Sequence, residues 1–133
     1  MIGRLNAHAE KGGSGESLAA DYLARQKGFV IVARNWRNPQ DRREEIDLIA
    51  LDREVLVFVE VKTRTHGARV PGFYAVDHAK REILRRAARA YLHSLENKPR
   101  TFRLDVVEIE LGTAVPEMRY FGNVGLFHKH YRP

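Results

Sequence analysis

Asp47, Glu60 and Lys62 lie in two short stretches, Glu45-Ile46-Asp47-Leu48-Ile49-Ala50 and Phe58-Val59-Glu60-Val61-Lys62, with little more than a turn between them. Two carboxylates and an ammonium on neighbouring strands can hold a hydrated divalent cation beside a phosphodiester. Oxygen-only ligands suit Mg²⁺, which keeps several waters and takes one or two carboxylates. Such an ion polarises a phosphate and lowers the pKa of a bound water, while a lysine positions that nucleophile or neutralises charge in the transition state. The chemistry expected is metal-assisted phosphodiester hydrolysis, with Mg²⁺ or Mn²⁺ as the cofactor.

Side chains alternate faces along a strand, so Glu45, Asp47 and Ile49 are expected on one face and Ile46, Leu48 and Ala50 on the other. On the following strand Leu56, Phe58, Glu60 and Lys62 share a face. With Arg53 and Glu54 as a two-residue hairpin loop, Asp52 pairs with Val55 and the same register sets Asp47 opposite Glu60. Like charges directly opposed destabilise a sheet, since their Cβ atoms are only about 4.5–5.5 Å apart. Lys62 or a divalent cation must compensate; a salt bridge from Lys62 to one carboxylate, without metal, is the competing reading. Glu16 precedes Ala19, Ala20 and Leu23 by three, four and seven residues, at the start of a helical stripe that should face the sheet. It is there either a helix-dipole partner or an outer metal ligand.

The elements that must position these groups can be read from apolar spacing and chain breakers. Ser14 as N-cap, Leu18, Ala19, Tyr22 and Leu23 at helical spacing, and Gly28 as the stop predict a helix of about three to four turns. Phe29 to Ala33 reads as a strand and Asn35 to Arg43, with Pro39 and Asp41, as a loop. Glu45 to Leu51 and Val55 to Thr63 are the second and third strands. With Val55, Val57, Val59 and Val61 on one face and Leu56 and Phe58 on the other, the third strand should be central. After a loop with Gly67, Pro71 and Gly72, Asp77 is a candidate N-cap for a helix ending near Glu96, with Ile83, Ala87, Tyr91 and Leu95 as its core stripe. Pro99 closes that region, Phe102 to Leu111 forms a long strand and Glu117 to Phe121 a short one. The order is αβββαβ(β), an α/β domain over 14–133 with a basic, aromatic C-terminal tail from Leu126 to Tyr131. Residues 1–13 are expected to form a flexible lead-in.

A chain of 133 residues suits a single hydrophobic core. Its 44% hydrophobic and 30% charged residues argue against disorder and fibrous architectures. Twenty-three Lys and Arg against 17 Asp and Glu give a formal charge of +6 and a pI of about 9.9. That balance favours a polyanion, either nucleic acid or an acidic membrane surface. The absence of cysteine excludes disulfides and thiolate–metal sites. Met1 to Gly13 lacks the apolar run of a signal peptide, and no stretch approaches the roughly 18 apolar residues of a membrane span. A cytoplasmic protein is the expectation.

The order of elements and the trio Asp47, Glu60 and Lys62 resemble the restriction-endonuclease-like nuclease superfamily, and the local motifs resemble the bacterial YraN family within it. The likeness runs from Gly15-Glu16 through Asn35-Trp36-Arg37, Glu45-Ile46-Asp47-Leu48-Ile49-Ala50, Phe58-Val59-Glu60-Val61-Lys62-Thr63-Arg64 and Ala75-Val76 with Lys80, to Arg103-Leu104-Asp105-Val106-Val107. It implies a restriction-endonuclease-like core with a mixed central sheet flanked by helices. It also implies a metal site with Asp47, Glu60 and the backbone carbonyl of Val61 as ligands, Lys62 as the catalytic lysine and Glu16 as an accessory acid. Archaeal Holliday junction resolvases are similar in the same arrangement. Glu44 stands where the family pattern has Gly, and the loop from His66 to Tyr74 matches poorly and carries no role over. A shared fold leaves the substrate open.

Arg37, Arg64, Lys80, Arg81 and Arg85 are candidates for a phosphate-contacting rim; for Arg85 and Arg89 a solvated helix face is the alternative. Trp36 is suited to base stacking or, as a lone Trp beside a strand, to packing. The six histidines show no metal-ligand spacing, and Gly12-Gly13-Ser14-Gly15 lacks the Lys and spacing of a phosphate-binding loop. The function expected is a metal-dependent endonuclease acting on DNA, selective for branched structure rather than sequence. The alternative is a nucleic-acid-binding or adaptor module that keeps the nuclease fold without appreciable cleavage. A third reading has the basic helix on an acidic protein or lipid surface. DNA is the expected partner, a membrane is not, and a homodimer is left open.

Overall fold

In the computed structural model, which describes residues 13–65, 78–112 and 114–126, the chain runs α1 (Gly13–Gln26), β1 (Val30–Asn38), β2 (Asp41–Asp52), β3 (Val55–Thr65), α2 (His78–Ser94), β4 (Phe102–Leu111) and β5 (Glu117–Val124). The five strands form one sheet in the order β1-β2-β3-β4-β5. β3 and β4 are parallel and the other neighbours antiparallel. A parallel pair needs a crossover connection, and α2 lies within it. This mixed α/β sheet with a helix against each face is the architecture implied by the restriction-endonuclease-like resemblance.

β3 is central for a reason visible in its residues. Leu56 and Phe58 pack with Leu84, Ala87, Ala88, Tyr91 and Leu92 of α2. Val57 and Val59, on the opposite face, pack with Ala19, Ala20 and Leu23 of α1. A strand covered on both sides can be apolar without interruption, as Val55 to Val59 is. α1 stops where Gly28 takes a left-handed φ of 72°, which lets the Phe29 N–H turn back to the Leu23 carbonyl at 3.0 Å. Among the described residues no helix is long and apolar enough to cross a membrane.

Four expectations about elements change. Asn35 to Arg43 is not a loop: β1 continues to Asn38, β2 begins at Asp41, and Pro39 and Gln40 alone make the turn. Turn-forming residues here serve the ends of a long hairpin. Asn38 Oδ1 accepts the Gln40 N–H at 3.0 Å and Asp41 Oδ1 the Arg43 N–H at 3.2 Å, satisfying backbone groups the ladder leaves over. The buried seam of α2 is Leu84, Ala87, Ala88, Tyr91 and Leu92 with Leu95 against it; Ile83 is half-buried beside that seam. A helix lying on a sheet buries a stripe wider than one row of i+4 positions. α2 also ends at Ser94 rather than near Glu96, and β5 extends to Val124. Asp77, the loop from His66 to Tyr74, the lead-in before Gly13 and the tail beyond Leu126 lie outside the described residues.

The β4–β5 pair is held by a buried polar cluster. Asp105, fully buried, accepts from Arg103 Nε at 3.0 Å, from the Asn123 N–H at 2.8 Å and from the Tyr120 hydroxyl. Arg103 also reaches Asp52 at 2.9 Å, tying the β2–β3 hairpin to β4.

Candidate functional site

The β2–β3 hairpin decides where the acids lie. Arg53, at a φ of 57°, and Glu54 make the two-residue turn. From there the pairs run in unbroken register from Asp52↔Val55 to Leu48↔Val59. That is the register expected from the sequence, and it ends one step short of Asp47 and Glu60. Here the strands part. Asp47 Oδ2 accepts the Val61 N–H at 2.8 Å, so a side chain takes a donor that a continuing ladder would direct to the β2 backbone.

The other side of β2 is irregular at the same level. Arg34 pairs with Leu48 and Trp36 with Ile46, while the intervening Asn35 has a left-handed φ of 50°. Asn enters that region more readily than other side-chain-bearing residues. Ile46 consequently joins Ile49 in the core under α2, whereas Leu48 and Ala50 belong to the core under α1. The expectation that Ile46, Leu48 and Ala50 share one face therefore fails at Ile46. Simple alternation breaks at Asp47, the residue whose carboxylate enters the gap.

Glu60 lies on the α2 side of β3 and is 2% exposed. Its Oε2 is 3.4 Å from Lys80 Nζ and 3.9 Å from Lys62 Nζ. Both separations exceed a normal N–H···O bond, and Oε2 has no hydrogen-bond partner. Burial pushes the Glu60 carboxyl up to about 8; a hydrogen bond and charge repulsion from Asp47 add to this, and Lys80 and then Lys62 oppose it. Glu16, in the first turn of α1, also has a buried oxygen, Oε2, without a hydrogen-bond partner. Burial and then the Asp47 charge raise its carboxyl, against a hydrogen bond from Asn35.

Asp47, Glu60 and Lys62 thus meet where β2 and β3 separate, with Glu16 on the Asp47 side and Lys80 on the Glu60 side. Among the described residues no three His, Asp or Glu side chains are grouped closely enough to hold an ion by themselves. The donors at hand are two carboxylates and the Val61 backbone. That number fits Mg²⁺ or Mn²⁺, and a buried carboxylate oxygen without a partner is the kind of atom a cation would satisfy.

The model of the uncharacterised protein family UPF0102 matches residues 15–109, most of the chain. The chain belongs to that family. Its UPF0102 relatives include a protein of Symbiobacterium thermophilum, 50% identical over 103 residues, which are 76% of this chain and 82% of the relative. One of Chlorobium limicola is 45% identical over 98 residues, 74% and 73% of the two chains. One of Paenarthrobacter aurescens is 44% identical over 116 residues, 85% and 91%.

The basic residues of this UPF0102 member divide into two groups. Arg37 pairs with Glu45 at 2.8 Å and donates to the Arg42 carbonyl on an open surface, and Arg81 is half-buried in the first turn of α2. Arg64 turns inward: its side chain is 9% exposed and meets Glu108 at 3.2 Å. Arg85 holds the Leu126 carbonyl at 2.6 Å and pairs with Glu82. Arg64 and Arg85 are therefore committed to the protein's own acceptors. Trp36 packs edge-on against Tyr91, 5.3 Å between ring centroids, in the core under α2. Two roles were missed in the sequence: Asn35 as the partner of Glu16, and Lys80 as a member of the Glu60 site. An Asn in a strand-like run was the available signal for the first.

Proposed function

We propose that the protein is a metal-dependent endonuclease that hydrolyses DNA phosphodiester bonds, with Mg²⁺ or Mn²⁺ held by Asp47, Glu60 and the Val61 carbonyl. The observation that carries this reading is the buried Glu60 carboxyl beside Asp47, with Oε2 lacking a hydrogen-bond partner. Two carboxylates so placed are costly unless one is protonated or a cation joins them. When bound, the ion supplies Lewis-acid polarisation of a phosphoryl oxygen. The chain's own groups do the rest. The Val61 N–H fixes the Asp47 carboxylate through Oδ2. Glu16 bears on Asp47 from α1, and burial together with the Asp47 charge raises its carboxyl. Lys62, partly exposed beside Glu60, orients the attacking water or neutralises charge on the phosphate in the transition state. The formal charge of +6 favours a polyanion. Among the described residues, one sheet and two helices contain no separate base-reading element, which favours branched DNA over a specific sequence.

A second reading rests on the two lysines beside Glu60: they also make a plain ion-pair cluster, as in an adaptor that binds nucleic acid without cutting it. Single-stranded, duplex, flap and four-way-junction DNAs, each offered with Mg²⁺ or Mn²⁺ at low salt, separate the two. Cleavage is expected, and Lys62→Ala should slow it at least about 100-fold while changing DNA affinity little. Binding without cutting selects the adaptor reading. No binding at low salt overturns both.

A further inference from the structure

Asn35 and Asp47 occupy facing positions on β1 and β2: the pairs on either side, Arg34↔Leu48 and Trp36↔Ile46, keep one register, with no shift between them. Both strands change face at this level. Ala33 and Trp36 of β1, three residues apart, both pack on the core under α2, and so do Ile46 and Ile49 of β2. Alternation would send residues three apart to opposite faces. Each strand therefore makes a half-turn here, and Asn35, at 50°, has the one positive φ in either of them. The half-turn keeps Trp36 against Tyr91, 5.3 Å between ring centroids. It also leaves Asp47 outside the ladder, where its Oδ2 takes the Val61 N–H.

The side chain of the same residue reaches the opposite helix. Asn35 hydrogen-bonds the Glu16 carboxyl on α1, a group near enough to Asp47 to feel its charge. Glu16 Oε2 stays buried without a partner. An amide donor fixes the orientation of a carboxylate and leaves its unpartnered oxygen for a cation's environment. We propose that Asn35 is a positioning residue of the metal site: its backbone places the Asp47 carboxylate in the gap and its amide aims Glu16 toward the same cation. The inference rests on the metal-site reading above and adds to it a residue that touches neither ion nor substrate. Both demands together select the residue type. Asn tolerates the left-handed region and carries an amide donor, whereas Gly meets only the first demand and Ala neither.

Calorimetric titration of the full chain with Mn²⁺, beside a melting curve for each variant, tests this. Asn35→Gly keeps the left-handed backbone and removes the amide. It should melt within a few degrees of the parent yet bind Mn²⁺ about tenfold more weakly, as loss of a group that orients a ligand does. Glu16→Gln should lose about as much. The double variant should bind no more weakly than Glu16→Gln alone, because the Asn35 amide acts through Glu16; a purely structural Asn35 would give losses that multiply. Asn35→Ala, whose Cβ resists the left-handed region, should melt a few degrees below Asn35→Gly and bind Mn²⁺ about threefold more weakly than it does. Parent-like Mn²⁺ binding by Asn35→Gly or Glu16→Gln, or multiplied losses in the double variant, overturns the role of the amide. Equal binding by Asn35→Gly and Asn35→Ala overturns that of the backbone. Either result leaves the metal reading intact, whereas a parent that binds no Mn²⁺ removes that reading and this inference with it.

Discussion

At about pH 8.5 and without metal, Glu60→Gln is expected to melt several degrees above the parent and, when Mn²⁺ is offered, to bind none. The parent buries the Glu60 carboxyl under α2 and pushes it up to about 8, first by desolvation and then through Asp47, from a reference value of 4.5. The folded state therefore holds this proton more tightly than the unfolded chain does. The associated stability is fully present below about 4.5 and is lost as pH rises to about 8. A shift of this size corresponds to a loss on the order of 5 kcal/mol across the window, or several degrees and more in melting temperature for a domain of this length. Gln has the same shape, never ionises and can donate an amide hydrogen to Asp47. It is a weak metal ligand, so the stabilising change removes the site, the usual trade between stability and a strained functional centre. Melting curves at about pH 5.5, 7 and 8.5 check the prediction, since carboxylates common to both proteins cancel in the difference. A gap between variant and parent that stays constant with pH would rule out a raised Glu60 pKa.

Asp105→Ala is expected to cost roughly 3–5 kcal/mol of stability, the largest loss expected outside the candidate site. Asp105 is fully buried and accepts from Arg103, Tyr120 and the Asn123 backbone. Without it the Arg103 guanidinium keeps Asp52, while the Tyr120 hydroxyl and the Asn123 N–H lose an acceptor inside the protein. Stranding donors costs more than the net worth of the bonds removed, because each has been taken out of water. Urea unfolding should show a lower midpoint with an unchanged slope. Asp105→Asn, which keeps an acceptor oxygen, should lose less than Ala. If Ala costs under about 1 kcal/mol, the cluster does not hold β4 and β5 together.

Lys62→Ala and Asp105→Ala should separate cleanly in experiment. The first is expected to leave melting nearly unchanged and remove cleavage. The second should weaken the fold without touching a donor of the candidate site.

The order of elements was legible because it rests on local signals. Apolar spacing gave α1 and α2 their extents within a few residues, and the β-branched run of Val55 to Val61 marked the central strand. The loop expected over Asn35 to Arg43 was wrong because turn-forming residues there cap a hairpin whose strands continue through them. On α2, one row of i+4 residues understated the buried face, since sheet contact recruits Leu84, Ala88 and Leu92 as well.

The sequence by itself determined the hairpin register. A two-residue turn at Arg53 and Glu54 and a period of two leave one pairing that buries the strands' apolar faces, and it brings Asp47 to the level of Glu60. Only the tertiary structure decided what happens there. It broke the ladder so that Asp47 holds the Val61 N–H, brought Lys80 from α2 onto Glu60, and turned Arg64 inward to Glu108, a partner 44 residues away. Periodicity fixes which way a side chain leaves its own strand or helix. Distances between residues remote in sequence are set by how helices pack across the sheet, and the balance of charge around Glu60 depends on those distances.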